Sequence, residues 1–127
     1  MEITSIQKNI TTSPRKVRLV ADMVRKMTPD KSLEMLGFTN KAASLQLSKA
    51  IKTALANARA QGIPTLGLTF KALEINEGMR MKRVMSGGRG RTRQYERQTS
   101  HIKIVLTDEV KVIKESTKKE ARSGTKN

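Results

Sequence analysis

Arginine and lysine side chains are concentrated in residues 79–96, MRMKRVMSGGRGRTRQYE. Glu96 is the only acid in this segment, and Gly87 and Gly88 lie near its middle. Guanidinium groups present a flat, forked set of donors that suits phosphate and stacks on bases. A segment this charged buries too little apolar surface to offset the entropy of its own ordering. The residue types therefore predict an arm that binds nucleic acid and is ordered by that partner, rather than a basic loop that touches nothing.

A second basic surface is predicted near the N-terminus, on the helix that begins at Ser13-Pro14. Arg15, Arg18 and Arg25 are offset from the apolar stripe of this helix, with Lys16 and Lys26 beside them. Asp22 is the only acid among these charges. The excess of positive charge favours phosphate contact over the alternative, a solvated face without a partner.

The remaining polar residues do not predict catalysis, a cofactor or a metal site. His101 is the only histidine and cysteine is absent, so neither a catalytic triad nor a cysteine- or histidine-based metal site can be assembled. The segment SGGRGRT lacks the strand-to-helix setting of a phosphate-binding loop. We therefore expect a structural or RNA-contacting role for His101 and no enzymatic activity.

Composition points to a polyanion binder. Lys and Arg number 26 against 11 Asp and Glu, which gives a formal net charge of +15. No apolar run approaches the roughly 18 residues of a membrane span, so a soluble, cytoplasmic protein is expected. We predict one domain over residues 1–110, with the arm at about 76–98, and a basic, disordered tail at 111–127. We expect neither membrane association nor a homo-oligomer.

Three helices are predicted from apolar spacing and from helix-start residues. The first begins with Ser13 as a side-chain cap and Pro14 in the first turn, and the second repeats this pattern with Thr28 and Pro29. Gly37 is expected to end the second helix in a left-handed conformation. The third runs from about Asn40 to Gln61 and is predicted to be central, because its apolar residues form one stripe: Ala43, Leu47, Ala50, Ile51, Ala54, Leu55 and Ala58.

Alternating apolar residues on both sides of the arm predict a long β-hairpin. Leu66, Leu68, Phe70 and Ala72 alternate after Pro64, and a phase change before Leu73 and Ile75 predicts a bulge. The partner strand is SHIKIVLT, residues 100–107. A turn near Gly87-Gly88 would place residue i opposite roughly residue 175 − i. Glu74 would then face His101, Glu77 would face Gln98, and Asp108 and Glu109 would pair near residues 66–67.

Residues 2–11 are predicted to form an edge strand with Ile6 and Ile10 on one face. The predicted fold class is therefore α+β, with three helices packed on a three-stranded antiparallel sheet and a long extended hairpin arm.

Five motifs occur in an order that resembles the bacterial-type large-subunit ribosomal protein twenty-two family over residues 3–108. They are SPRKVRLVADMVR (13–25), KAIKTALANA (49–58), EGMRMKR (77–83), GRTR (90–93) and TSHI (99–102). The resemblance implies the fold described above, and a structural constituent of the large ribosomal subunit that supports assembly. It also implies a hairpin that passes through large-subunit (23S-type) rRNA to the wall of the peptide exit tunnel. The implied partners are this rRNA, neighbouring ribosomal proteins and the nascent polypeptide, in a cytoplasmic or organellar ribosome.

Composition and resemblance together predict two sets of site residues. The rRNA-binding set is Ser13, Arg15, Lys16, Arg18, Arg25, Arg80, Lys82, Arg83, Arg89, Arg91, Arg93, Arg97, Ser100 and His101. The hairpin residues implied to line the tunnel are Met81, Lys82, Arg83, Gly88, Arg89, Gly90 and Arg91. Three stretches depart from the family's usual residues: Glu77-Gly78-Met79, Met85-Ser86-Gly87-Gly88 and Arg97-Gln98.

A free-standing, DNA-architectural protein is the alternative to a ribosomal one, because such proteins also carry basic β-arms. An apolar wedge is common at the tip of those arms, whereas this tip consists of glycine and serine. A membrane-surface protein would need a basic helix with a large apolar face that includes Trp or Phe, and no such helix is predicted.

Overall fold

The computed structural model describes residues 1–109, which form three helices and three strands. The strands form one antiparallel sheet, and two of them continue beyond it as a hairpin. The predicted α+β class, with three helices and a long β-hairpin, is confirmed. The tail predicted at 111–127 lies outside the described residues. In chain order the elements are β1 (Glu2–Ile10), α1 (Pro14–Val24), α2 (Pro29–Phe38), α3 (Ala42–Ala60), β2 (Thr69–Ser86) and β3 (Thr92–Thr107).

The hydrophobic core lies between α3 and the central strand of the sheet. The strand order is β1-β3-β2, so that β3 is paired on both sides. Ile102, Ile104 and Leu106 alternate along β3 and are fully buried, as the sequence predicted. All seven residues of the apolar stripe predicted on the third helix are also buried. Packing of an aliphatic helix stripe against an aliphatic strand supplies the main apolar burial of the protein.

The helices begin at the predicted prolines, but two details of their ends differ from prediction. The side chains of Ser13 and Thr28 make no capping hydrogen bond. Arg15 and Lys16 in the first turn of α1 are exposed, so water can satisfy their backbone N–H groups without the hydroxyl. Gly37 does not end α2; the helix continues to Phe38, and Thr39 is extended. Any residue in an extended conformation can end a helix, and a left-handed glycine is only one of the available solutions.

α3 ends with a glycine in the left-handed region. Gly62 has φ +74° and donates to the carbonyl of Arg59 at 3.0 Å, while the N–H of Ile63 donates to the carbonyl of Ala58 at 3.0 Å. This pair of bonds is the Schellman arrangement, and it lets Ile63 pack against the core.

The prediction that Ile6 and Ile10 share one face of β1 was wrong. Ile6 is 54% exposed, whereas Ile10 is buried together with Ile3. The ladder with β3 is interrupted between Gln7 and Ile10, and Asn9 has φ +58°. The bulge shifts the alternation by one residue, because an extra residue in a strand moves every later side chain to the opposite face.

β2 begins later than the alternation of its apolar residues suggested. Leu66 lies before the strand and is 85% exposed, whereas Leu68 and Phe70 are buried. The predicted bulge is present between Phe70 and Ala72. It turns Leu73 and Ile75 towards the core.

The predicted register of the hairpin was wrong by one to three residues. Glu74 faces Lys103 instead of His101, and Glu77 faces Ser100 instead of Gln98. The last pair before the turn is Ser86 with Thr92, so the turn is centred on Arg89 and not on Gly87-Gly88. Beyond Glu77 a bulge shifts the register by one further residue. At the other end of the hairpin the last pair is Thr69 with Thr107, so Asp108 and Glu109 lie outside the ladder and do not pair near residues 66–67.

Candidate nucleic-acid interface

The hairpin arm projects beyond the part of the sheet that the helices cover. From Arg80 to Gln98 every side chain is exposed except Met81, which is half-buried. No residue of this segment belongs to the hydrophobic core. Each strand of the arm, from residue 80 to 86 and from 92 to 98, spans about 20 Å at the rise of a β-strand. Cross-strand hydrogen bonds and the ion pair between Arg80 and Glu96 hold this ribbon, and an isolated two-stranded ribbon is marginally stable in water.

A bulge at Gly78-Met79 marks the root of the arm. The hydroxyl of Thr99 donates to the carbonyl oxygen of Met79 at 2.7 Å. A Cβ atom on Gly78 would contact the side chain of Thr99 and lie 3.1 Å from its backbone carbonyl carbon. Glycine is therefore required at residue 78 because the opposite strand approaches its α-carbon too closely for any side chain.

Two further polar residues of β3, Ser100 and His101, lie at this root. Nδ1 of His101 accepts a hydrogen bond from the backbone N–H of Asn9 at 3.1 Å, which ties β3 to the bulge of β1. Ser100 is fully buried, and its hydroxyl oxygen has no hydrogen-bond partner in the described part of the chain. Both residues were predicted to contact rRNA, and the structure places them beside the protein core.

The tip of the arm is a tight turn with a hollow beside it. Arg89 and Gly90 have φ +56° and +70°, and the N–H of Gly87 donates to the carbonyl of Arg91. A Cβ on Gly87 would lie 2.8 Å from that carbonyl oxygen. The hollow has a volume of about 320 Å³ and is lined by Gly87, Gly88, Arg89, Arg91 and Arg93.

Most basic residues of the arm have no acidic neighbour. The exceptions are Arg80, with Glu77 at 3.1 Å and Glu96 at 3.6 Å, and Lys82, which is opposite Glu96 in the ladder but forms no ion pair with it. The hydrogen bond that Arg80 donates to Glu77 and the charges of both acids raise the pKa of Arg80. Six cations of the arm form no ion pair with any residue in 1–109: Lys82, Arg83, Arg89, Arg91, Arg93 and Arg97. These charges are available to an external anion.

The basic residues of α1 divide into two groups. Nε and Nη2 of Arg18 donate to the carbonyl of Ile75 at 3.3 and 3.0 Å, and Nη2 of Arg25 donates to the carbonyl of Leu73 at 3.1 Å. Arg15 and Lys16 are exposed and make no hydrogen bond or ion pair with the residues that the structure describes. Sequence reasoning missed the contacts of Arg18 and Arg25, because the approach of α1 to β2 leaves no local signal.

Other kinds of site are not assembled in this part of the chain. Within residues 1–109 no three side chains of His, Asp or Glu lie close enough together to hold a metal ion. None of the helices described is both long and apolar enough to cross a membrane. The candidate site is therefore the basic arm together with the start of α1.

Comparison with known proteins identifies the family of the chain. A family model described as ribosomal protein L22p/L17e matches residues 5–107, which include both strands of the arm and all three helices. The chain belongs to this ribosomal protein family. The large ribosomal subunit protein uL22 of Flavobacterium psychrophilum is 37% identical over 102 residues, which cover 77% of this chain and 74% of that relative.

Membership of the L22 family confirms the resemblance seen in the motifs of the sequence. The chain is a ribosomal protein of the large subunit, and the family is not enzymatic. The L22 match extends across the arm, including the stretches at 77–79 and 85–88 that depart from the family's usual residues.

Proposed function

We propose that this L22-family protein is a structural constituent of the large ribosomal subunit that binds 23S-type rRNA and supports assembly of the particle. The exposed arm carries this proposal. It is a two-stranded ribbon with no apolar contact to its own core and with six cations that have no acidic partner in residues 1–109. A polyanion that surrounds or flanks the arm would both neutralise these charges and order the ribbon.

The proposed rRNA contacts fall into three groups along the chain. On the arm they are Arg80, Lys82, Arg83, Arg89, Arg91, Arg93 and Arg97. At the start of α1 they are Ser13, Arg15 and Lys16, where uncapped backbone N–H groups and the positive end of the helix dipole favour a phosphate. The set is completed by Arg18, Arg25, Ser100 and His101. Arg18 would bind rRNA with the donors that β2 leaves free, and Arg25 with those that neither β2 nor Asp22 uses.

The tip of the arm is proposed to reach the wall of the peptide exit tunnel. The residues assigned to that wall are Met81, Lys82, Arg83, Gly88, Arg89, Gly90 and Arg91. Support comes from the position of the turn at the far end of an exposed ribbon and from the family to which the chain belongs. Neighbouring large-subunit proteins and the nascent polypeptide are the further partners, in a cytoplasmic or organellar ribosome. We also retain residues 1–110 as one proposed domain that includes the arm.

Salt dependence of rRNA binding tests this function. The affinity of the purified protein for a transcript of the large-subunit rRNA from Flavobacterium psychrophilum is measured between 50 and 200 mM salt. With about six to ten phosphate contacts, the affinity should fall by roughly 10³- to 10⁵-fold over this range, because each contact releases bound counterions. An affinity that does not change with salt would contradict phosphate neutralisation by the arm and α1.

Association with ribosomal particles separates this function from that of a DNA-architectural protein. A tagged copy of the chain is expressed in a bacterial host, and its lysate is separated on a sucrose gradient. We expect the protein in the large-subunit fraction, and ribonuclease treatment should release it. Recovery with the nucleoid, and release by deoxyribonuclease only, would favour the DNA-binding alternative.

A further inference from the structure

The register of the arm sorts its side chains onto two chemically different faces. Paired residues in an antiparallel ladder point to the same side, and successive residues alternate between sides. The ladder from Arg80–Gln98 to Ser86–Thr92 is regular, so this sorting holds along the whole arm. The glutamate face consists of Arg80, Lys82, Val84, Ser86, Thr92, Gln94, Glu96 and Gln98. The arginine–tyrosine face consists of Met81, Arg83, Met85, Arg93, Tyr95 and Arg97.

The two faces differ in charge and in chemistry. The glutamate face carries two cations, Arg80 and Lys82, and one acid, Glu96, so its net charge is +1 over eight residues. Glu96 lies 3.6 Å from Arg80. The arginine–tyrosine face has three arginines and no acid, and it contains the only tyrosine of the chain. None of its arginines forms an ion pair within residues 1–109.

The apolar parts of the arginine–tyrosine face form a surface for stacking. The pair Arg83–Tyr95 lies directly across the ladder, and Nη2 of Arg83 lies 3.8 Å from the sulfur of Met81. Tyr95 remains 41% exposed. Arg93 and Arg97 flank Tyr95 on the same face and are separated by about 13 Å along the strand. A flat ring between two forked cations is the arrangement by which proteins hold a single-stranded or splayed nucleotide.

We propose that the arginine–tyrosine face is the one that lies on rRNA, with an unpaired base stacked on Tyr95 and phosphates bound by Arg83, Arg93 and Arg97. This inference rests on the proposed function and refines it. The glutamate face, which carries Arg80 and Lys82, points away from the stacked base. Arg93 also lines the hollow at the tip, which makes the face continuous with Arg89 and Arg91.

Cysteine alkylation locates the buried face. The chain has no cysteine, so each introduced thiol is unique. Val84 and Met85 are adjacent, uncharged and 63% and 52% exposed, but they lie on opposite faces. Iodoacetamide modification of Val84→Cys and Met85→Cys is timed with and without the Flavobacterium psychrophilum rRNA transcript. We expect the rRNA to slow modification of Met85→Cys by at least about tenfold and of Val84→Cys by less than about threefold, because thiol reactivity requires access.

Substitution of Tyr95 tests the stacking itself. Tyr95→Leu should weaken rRNA binding by about tenfold or more, whereas Tyr95→Phe should bind as the wild type does, because only the ring is needed for stacking. Circular dichroism and the unfolding midpoint of each variant establish that the body is folded. Loss of binding in both variants, or in neither, would overturn the stacking role of this ring.

The outcomes separate this inference from the function on which it rests. Equal protection of both thiols, or stronger protection of Val84→Cys, would overturn the choice of face while rRNA binding stands. Failure of the wild-type protein itself to bind the transcript at low salt would overturn the proposed function.

Discussion

Thr99 and His101 show how individual polar residues hold the root of the arm. Each forms a hydrogen bond with a backbone group of another strand. The hydroxyl of Thr99 donates to the carbonyl of Met79, and Nδ1 of His101 accepts from the N–H of Asn9. Both backbone groups lie at bulges, where the regular ladder leaves donors and acceptors unpaired. These side chains therefore satisfy groups that would otherwise lack a partner in the protein.

Gly78→Ala tests the close approach at this root. The added methyl would meet Thr99, so we expect a loss of roughly 1–3 kcal/mol in the free energy of unfolding, as for other overpacked sites. Gly37→Ala is the matched control, because Gly37 lies within α2 and nothing stands within 4 Å of the added Cβ. It should stabilise the protein by about 0.5–1 kcal/mol. Urea unfolding measures both, and equal effects of the two substitutions would contradict the close approach.

The ion pair between Glu2 and Lys71 spans the outer surface of the sheet and predicts a pH dependence of stability. A hydrogen bond and the charge of Lys71 lower the pKa of Glu2 from its ordinary value of 4.5. The stabilising contribution of Glu2 is therefore present above pH 4.5 and is lost as the pH falls through the lower, folded pKa. We expect Glu2→Gln to unfold at lower urea than the wild type at pH 7 and at the same urea concentration near pH 3.

Glu34→Gln is the control for this measurement. Glu34 is exposed and makes no ion pair or hydrogen bond with the residues described, so its replacement should leave the midpoint unchanged at both pH values. A Glu2→Gln deficit that persists undiminished at low pH would show that the charge of Glu2 is not responsible.

At the scale of elements, two arginines, one in α1 and one at its C-cap, contact β2, which lies at one edge of the sheet. β2 is an edge strand, and edge strands leave a row of carbonyl groups open to solvent or to another chain. Arg18 and Arg25 donate to two of these carbonyls, at Ile75 and Leu73. Ile75 and Leu73 lie just before the arm, so these contacts hold β2 against α1 close to the point where the arm begins.

Arg18→Gln and Arg15→Gln should separate structural from RNA-binding arginines. Both substitutions remove one positive charge from α1. Arg18→Gln should lower the free energy of unfolding by about 1 kcal/mol through the lost hydrogen bonds to Ile75. Arg15→Gln should change it by less than about 0.5 kcal/mol and should weaken rRNA binding, because Arg15 has no partner among the described residues. The assignment fails if Arg15→Gln proves the more destabilising of the two.

The whole molecule combines a small packed body with an arm that the body does not support. The buried aliphatics all lie outside the arm, whereas most of its cations have no acid nearby. Charge of one sign on a thin ribbon opposes its compaction in the free protein. Folding of the body and ordering of the arm are therefore expected to be separate events, the second dependent on a polyanion.

Hydrogen exchange measures this separation. In the free protein, backbone amides between residues 80 and 98 should exchange much faster than those of α3, because a lone ribbon opens more readily than the core. Addition of the rRNA transcript should slow exchange in the arm and leave that of α3 unchanged. Strong protection of the arm without rRNA would contradict the dependence of its order on a partner.

Local patterns determined most of the elements. Pro14 and Pro29 mark the starts of α1 and α2, and the stripe from Ala43 to Ala58 identifies the face of α3 that is buried. Alternation at Ile102, Ile104 and Leu106 identifies the core side of β3. These features were predictable because helix starts and apolar periodicity depend on neighbours within a few residues. The basic character of the arm was equally plain from its composition.

Long-range geometry decided the rest. The bulges at Asn9 and Gly78 and the turn centred on Arg89 set the register, and the register placed Tyr95 opposite Arg83 and on the same face as Met81 and Met85. The packing of α1 against β2 decided that Arg18 contacts a strand edge. A shift of one residue reverses the faces of a strand at almost no cost in local conformational preference. The sequence alone therefore determined which elements form and that the arm is basic, and only the tertiary structure decided which side chains of paired strands share a face.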